Sequence, residues 1–212
     1  WLCHKKSLLQ HSQPAKRALL RSVCALGGHE WTDAVPSHDD FRVPAVLWLP
    51  AFRHYLGLPT FPGEHPPLAC KCRRGETPPW VHALSCNLGG VATKKHDMLG
   101  RAWFAFLRLC GVVVSADGEY APFGEDDERR VDGVVAGLPE TVWEMCLDFT
   151  LTSVLTDTGI DAGADVNLGA AVKAEGRKRD LYDDDATRVG LGFIPVAHEL
   201  TGALGPAARD KL

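Results

Sequence analysis

The feature that most restricts the fold is a stretch of alternating side chains between residues 143 and 152. Every second residue is apolar, and the residues between them are mostly polar. The apolar set is Trp143, Met145, Leu147, Phe149 and Leu151, and the other set is Glu144, Cys146, Asp148, Thr150 and Thr152. Successive side chains of a β-strand point to opposite faces of the sheet, so the pattern predicts a strand with one apolar face. Asp148 is therefore expected on the polar face of a strand whose other face is buried.

Regular helix and strand patterns surround this strand from residue 98 onward. Helical spacing and alternation predict, in chain order, a helix over 98–111, strands over 111–120, 129–138 and 141–151, a helix over 164–182 and a strand over 189–200. The order α-β-β-β-α-β is typical of a mixed α/β domain. The fold class expected for this part of the chain is therefore α/β.

Residues 1–68 show helical spacing but no recognisable catalytic or metal-binding motif. Residues 12–26 predict a helix, and residues 37–58 predict a second helical segment that begins near Ser37. The expected buried face of the first helix consists of Leu19, Leu20, Val23 and Leu26. We interpret this part of the chain as a packing or linker region.

Composition and charge limit the classes of function. No apolar run approaches the ~20 residues that a membrane-spanning helix needs. Seven cysteines, an odd number, and no sign of secretion argue against a disulfide framework and favour a reducing compartment. The chain opens on Trp1, so we expect a piece of a longer protein.

The net charge is −4, but the charges are unevenly distributed. Residues 70–110 hold seven Lys and Arg against two acids, as a phosphate-binding surface would.

A cluster of cysteine and histidine lies inside this basic segment. Cys70, Cys72, His82 and Cys86 form the pattern C-x-C-x9-H-x3-C. Three thiolates and one imidazole are the tetrahedral ligand set that zinc favours. His65 and His96 are reserve ligands outside this compact spacing, and the alternative is a set of ordinary reduced cysteines in a proline-rich loop.

Two acidic residues occupy adjacent predicted strands, Asp132 near the start of the second and Asp148 on the third. Hydrolysis of a phosphodiester needs carboxylates that fix Mg²⁺ and a lysine that positions water. Glu144 shares the face of Asp148 but is ~13 Å away along the strand, too far to share one ion. The alternative for either aspartate is a solvated acid on a strand.

The lysine is ambiguous in the sequence. Lys178 and Tyr182 are four residues apart on the last predicted helix, so they share one face. Lys173 and Arg177 form a rival pair with the same spacing. Spacing alone does not choose between them, and all four residues are also compatible with a solvated helix surface.

Several motifs together resemble a known family. The ordered stretches are HALSCNLGG, KKHDML, RRVD, LDFTLT, AAVKAEGRKRDLY and GFIPVAHELTGALG. They resemble the C-terminal region of non-LTR retrotransposon polyproteins, in which a Cys-Cys-His-Cys knuckle precedes a restriction-enzyme-like endonuclease of the PD-(D/E)XK class. The resemblance extends over residues 18–212. One departure is Arg130-Val131-Asp132, where the family usually shows Arg/Lys-Pro-Asp.

The resemblance implies an arrangement of domains and sites. It implies a helical linker at 1–68, a zinc knuckle at 69–97 and an endonuclease with a restriction-endonuclease-like core and a mixed sheet at 98–212. The implied zinc ligands are Cys70, Cys72, His82 and Cys86. The implied ligands for Mg²⁺ or Mn²⁺ are Asp132 and Asp148, with Lys178 and Tyr182 as the lysine and its partner. Glu119, near the end of the first strand, is a candidate third acid.

The function expected from this resemblance is a Mg²⁺-dependent endodeoxyribonuclease that nicks target DNA to prime reverse transcription. The expected contacts to DNA phosphates are Arg73, Arg74, Lys94, Lys95 and Arg101. Expected partners are DNA, element RNA and an upstream reverse transcriptase region of the same polyprotein, in the nucleus and without a membrane. The alternative is a zinc-stabilised DNA-binding module that does not cleave.

Overall fold

The computed structural model describes residues 9–10, 12–29, 45–58, 72, 82, 86, 88–124, 127–139 and 141–212. They divide into two compact units. The N-terminal unit combines the residues described within 1–92 with 153–170 and 199–203, and the sheet unit consists of those within 93–152, 171–198 and 204–212. In this part of the chain, no helix combines the length and the hydropathy needed to cross a membrane.

Six helices and four strands are described. The helices are α1 (Pro14–Val23), α2 (Ala45–Tyr55), α3 (Val91–Leu109), α4 (Asp157–Gly163), α5 (Gly169–Arg188) and α6 (Pro206–Arg209). The strands are β1 (Val113–Tyr120), β2 (Val131–Ala136), β3 (Met145–Thr152) and β4 (Gly192–Glu199). A 3₁₀ helix at Leu88–Gly90 precedes α3.

The four strands form one mixed sheet in the order β1-β2-β3-β4. β1 pairs with β2 and β2 with β3 in antiparallel orientation. β4 joins the free edge of β3, and the Gly192 N–H donates to the Glu144 carbonyl at 2.9 Å where both strands begin. The predicted α/β class is confirmed.

Inside the sheet unit both faces of β2, β3 and β4 are covered, whereas β1 is mostly exposed. One apolar cluster joins the sheet to α3 and α6 and consists of Phe104, Leu107, Val135, Leu138, Leu147, Phe149, Ile194, Val196 and Ala208. A second cluster joins the opposite face to α5 and consists of Phe123, Val131, Val134, Cys146, Tyr182, Ala186 and Phe193. The face of β3 that was predicted to be polar is therefore covered by α5.

Two expectations about β3 were wrong. Cys146 is fully buried, although it lies on the face predicted to be polar. Trp143 was expected in the core, but it precedes the strand and is 62% exposed. Alternation identified the two faces of the strand but did not reveal that a helix covers the second one.

The helix boundaries also differ from the predicted ones. α3 begins at Val91 instead of 98, so Lys94, Lys95 and His96 belong to this helix. The helix predicted over 164–182 begins at Gly169 and follows the separate helix α4. Leu168 between them adopts φ of 57°, a left-handed conformation that interrupts helical geometry.

In the N-terminal unit, α1 packs its Ala18 and Leu19 against Val154 and Ala170. The side chains of Arg17 and Arg21 both donate to the Ala164 carbonyl, at 3.3 and 3.0 Å, where α4 ends. α1 confirms a helix within 12–26, but Leu26 lies beyond its end and is exposed, contrary to expectation. Of the second predicted segment, residues 45–55 are helical, and residues 37–44 lie outside the described part.

Candidate active site and candidate metal centre

The register of β2 and β3 brings the two aspartates together. Gly133 pairs with Leu147 and Val134 with Cys146, so the next step of this register places Asp132 opposite Asp148. Opposite residues of an antiparallel pair share one face of the sheet. A side chain at Gly133 would collide with the Phe104 ring and the Ala116 carbonyl, so glycine permits close packing beside Asp132.

Asp132 is fixed by the backbone of β3. Its Oδ2 accepts a hydrogen bond from the Phe149 N–H at 2.5 Å. The same oxygen lies 3.1 Å from His96 Nε2. The Asp132 carboxylate therefore accepts a backbone hydrogen bond from β3, just beyond the last residue pair of the two strands, Gly133 and Leu147.

His96 is the functional candidate that sequence reasoning placed elsewhere, as a reserve zinc ligand. Its Nε2 lies 3.1 Å from both Asp132 Oδ2 and the Phe149 carbonyl oxygen, and its Nδ1 lies 3.6 Å from Asp97 Oδ1. The hydrogen bond to Asp132 is the largest influence on His96 and raises its pKa to about 9, against a smaller opposing effect of burial. The imidazole is therefore a cation at neutral pH.

Asp148 is the most buried acid of the site, with 6% of its side chain exposed. Its Oδ2 lies 2.6 Å from Lys178 Nζ on α5. Burial is the largest influence and raises the pKa of Asp148, because it disfavours the charged form, whereas Lys178 acts in the opposite direction. Each aspartate thus has one cationic side chain of the chain itself beside it.

The aromatic ring of Tyr182 packs against the ammonium group of Lys178. The Lys178 ammonium lies 5.6 Å from the centre of the Tyr182 ring, within the range of a cation–π interaction. The ring packs between Phe123 and Phe193, with centroids 5.7 and 5.3 Å away. Its hydroxyl donates to the Arg130 carbonyl at 3.0 Å, which ties α5 to the chain just before Asp132.

The structure distinguishes the two lysine pairs that the sequence left open. Lys178 and Tyr182 face Asp148. Lys173 and Arg177 are exposed and make no ion pair or hydrogen bond to any described residue. The pair Lys178 and Tyr182 is therefore the one that lies beside the aspartates.

Other predicted site residues lie outside this cluster. Glu119 is exposed near the end of β1 and has no polar contact with either aspartate within the described chain. Lys94 and Arg101 are exposed on α3, the helix that carries His96. Lys95 is partly buried on the same helix, and burial lowers its pKa. Arg73 and Arg74 lie outside the described residues.

A second site is formed by Cys72, His82 and Cys86. Their ligand atoms all lie within 4.8 Å of one another, and Cys72 Sγ is 2.9 Å from His82 Nε2. The Leu88 N–H donates to Cys86 Sγ at 3.4 Å. Cys70, the fourth predicted ligand, is not among the described residues. These three side chains could hold a metal ion such as zinc.

This group is the one set of three His, Cys, Asp or Glu ligand atoms found so close together among the residues that the structure describes. The two aspartates therefore do not combine with a third such side chain in an equally compact set. Their arrangement is instead two ion pairs, one with His96 and one with Lys178.

Comparisons with protein-family models, curated proteins and solved structures found no match to this chain. The resemblance of the sequence motifs to retrotransposon endonucleases therefore stays a prediction.

We expect one zinc ion per chain, and we expect its removal to expose the thiols that bind it. A zinc chelator should make Cys72 and Cys86 reactive toward iodoacetamide, because a metal-bound thiolate is shielded from alkylation. Metal analysis gives the zinc content, and mass spectrometry of the alkylated peptides locates the modified thiols.

Two cysteines of the sheet unit serve as controls. Cys110 is exposed and should be alkylated with or without chelator. Cys146 is buried, and burial raises the pKa of its thiol to about 11, so it should react only after unfolding. Equal reactivity of Cys72 and Cys86 before and after chelation would contradict the zinc site.

Proposed function

We propose that the sheet unit is a metal-dependent DNA endonuclease domain with a restriction-endonuclease-like core, which hydrolyses a phosphodiester to nick target DNA. The observation that carries this proposal is that Asp132 and Asp148 lie on adjacent antiparallel strands, each one residue beyond the paired Gly133 and Leu147, with Lys178 Nζ 2.6 Å from Asp148. Two carboxylates and a lysine on one face of a sheet are the groups that such hydrolysis requires.

The donor atoms fit a hard divalent cation. Asp132 and Asp148 supply carboxylate oxygens. The Phe149 carbonyl oxygen lies near Asp132 Oδ2, and both oxygens contact His96 Nε2. Carboxylate and carbonyl oxygens are the ligands preferred by Mg²⁺ and Mn²⁺. When bound by these residues, the ion would neutralise phosphate charge and favour ionisation of water.

The residues of the chain then have separate roles. Lys178 is placed to position the attacking water and to contact the phosphate, since 29% of its side chain is exposed. Tyr182 acts as a positioning residue, because its ring supports the ammonium and its hydroxyl is engaged by the Arg130 carbonyl. Burial of Asp148 keeps bulk water away from one of the two carboxylates.

Basic side chains of the α3 helix and of the segment after Cys72 would bind DNA. Lys94, Lys95 and Arg101 belong to α3, and Arg73 and Arg74 follow the metal ligand Cys72 in sequence. Contacts of lysine and arginine to phosphates give affinity but little sequence information. In a retroelement, nicking would expose the 3′ hydroxyl that primes reverse transcription by an upstream polymerase region on element RNA in the nucleus.

One observation favours the alternative function, a DNA-binding module that does not cleave. Asp132 is neutralised by His96 and Asp148 by Lys178, so the carboxylates are balanced by cations of the chain itself. A decayed relative of a nuclease could keep these ion pairs as structure. The zinc site and the basic face of α3 would then be its functional parts.

Incubation of the chain with supercoiled plasmid separates the two functions. The nuclease should convert the plasmid to the open circular form with Mg²⁺ or Mn²⁺, and it should stop when the divalent ion is omitted. A gel-shift experiment on the same DNA should show binding in both conditions. DNA binding without nicking at any concentration of either ion would contradict the nuclease proposal and support the DNA-binding module.

The role of Tyr182 can be tested by removing its hydroxyl. We expect Tyr182→Phe to lower the free energy of unfolding by about 1 kcal/mol, because one hydrogen bond to the Arg130 carbonyl is lost. Nicking should remain within about tenfold of the parent, since the ring stays under Lys178. Chemical denaturation and the plasmid assay measure these effects, and complete loss of nicking in a folded Tyr182→Phe chain would give the hydroxyl a chemical role.

A further inference from the structure

We propose that His96 is a nitrogen ligand of a divalent ion bound at Asp132, which gives that ion a mixed nitrogen and oxygen donor set. The inference rests on the proposed nuclease function and extends it by one ligand on α3. Its basis is the position of His96 Nε2, which lies 3.1 Å from Asp132 Oδ2 and 3.1 Å from the Phe149 carbonyl oxygen.

Three donor atoms from three elements meet at this point. The Nε2–H group of His96 donates toward both oxygens, so a divalent ion that replaces this proton would find one nitrogen and two oxygen ligands. Asp132 Oδ2 is also held by the Phe149 N–H, which fixes its direction. The ligand atoms are therefore arranged by the backbone of β3 before any ion binds.

The second ring nitrogen of His96 gives independent support. Its Nδ1 lies 3.6 Å from the Asp97 carboxylate. A histidine that binds a metal usually directs its other ring nitrogen to a carboxylate, a carbonyl or water, which selects the tautomer and orients the ring. His96 has this arrangement, with Asp97 beside its Nδ1 and the oxygens of Asp132 and Phe149 beside its Nε2.

The position of His96 is also set by packing. Gly100 follows it by one helical turn, and a β-carbon there would lie 3.5 Å from the Phe149 ring. Phe104, one turn further, meets the Phe149 ring edge to face at 5.3 Å between centroids. α3 therefore holds His96 at a fixed distance from the residue whose carbonyl completes the donor set.

A nitrogen ligand has consequences for the choice of metal. Imidazole binds transition metals better than the alkaline-earth ions Mg²⁺ and Ca²⁺, which prefer oxygen. We expect Mn²⁺ to bind the native chain, and we expect its affinity to fall at least about tenfold in His96→Gln. Isothermal titration of the zinc-loaded chain with Mn²⁺ measures this change without any cleavage.

Pulsed electron paramagnetic resonance on the Mn²⁺-loaded chain tests the bond itself. A directly bound imidazole modulates the Mn²⁺ echo through its ¹⁴N nucleus. The modulation should be present in the native chain and lost in His96→Gln, while the matched control His29→Gln should keep it. If His96→Gln does not fold, the native chain made with ¹⁵N-histidine serves instead, and the ¹⁴N modulation should disappear from its spectrum.

The outcomes separate this inference from the proposed function. Mn²⁺ bound without ¹⁴N modulation, or with modulation that persists in folded His96→Gln, overturns the role of His96 and leaves the nuclease proposal intact. Failure of the native chain to bind Mn²⁺ overturns the inference as well, and the plasmid assay with Mg²⁺ then decides whether the nuclease proposal falls with it.

Discussion

Asp148→Asn should abolish nicking while the chain keeps its fold and its affinity for DNA. The substitution preserves the shape of the side chain but removes the negative charge that would bind the divalent ion. We expect a loss of roughly 10³-fold in nicking rate, as for other preorganised groups that stabilise charge in a transition state. DNA binding should be equal or tighter, because one anion next to the phosphate has gone.

The fold should tolerate this change because of where the charge lies. Breaking a buried ion pair is costly when the remaining charge stays buried. Here the remaining charge belongs to Lys178, whose side chain is 29% exposed and can turn to water. Burial also raises the pKa of Asp148, so its charged form is disfavoured in the folded chain. We therefore expect the free energy of unfolding to change by no more than about 1 kcal/mol.

The measurement is the rate of plasmid nicking, with thermal melting and gel shift on the same samples. Glu119→Gln is the matched control, because it also replaces a carboxylate by an amide on the same sheet. Glu119 is exposed, so this variant should nick like the parent. A folded Asp148→Asn chain that nicks at the parental rate would refute the nuclease proposal.

The sheet and one half of the site could be predicted from local patterns in the sequence. Alternation located β3 and the face of Asp148, and spacing of four residues joined Lys178 to Tyr182. Both are periodicities of a single element, so they need no knowledge of packing. The choice of Lys178 over Lys173 depends on which face of α5 lies on the sheet, and spacing does not contain that information.

His96 was missed because the first two turns of α3 are polar. The helix appears in the sequence as an apolar pattern from 98 onward, whereas its first residues are mostly polar. Counting back from Phe104 in steps of four gives Gly100 and then His96, so the buried face could have been extended. Burial of Cys146 was hidden for a related reason, because a cysteine on the strand and a small residue of α5, Ala186, are weak apolar signals.

Lys178→Met should lower the nicking rate by about 100-fold without removing the divalent ion. Methionine keeps the length and the apolar stem of lysine but cannot donate to water or to phosphate. A positioned group that moves or orients a proton contributes roughly 10² to 10⁴ in rate. The carboxylates of Asp132 and Asp148 stay in place, so Mn²⁺ affinity measured by titration should be unchanged or higher.

Lys173→Met is the matched control, because it makes the same change of charge on the same helix. Lys173 is exposed and makes no ion pair or hydrogen bond with the described residues, so its loss should leave the nicking rate near that of the parent. If Lys173→Met were inactive and Lys178→Met active, α5 would have to be rotated so that Arg177, not Tyr182, supports the lysine. If both variants nicked like the parent, the ion pair between Lys178 and Asp148 would be structural, and the DNA-binding module would be the better account of this chain.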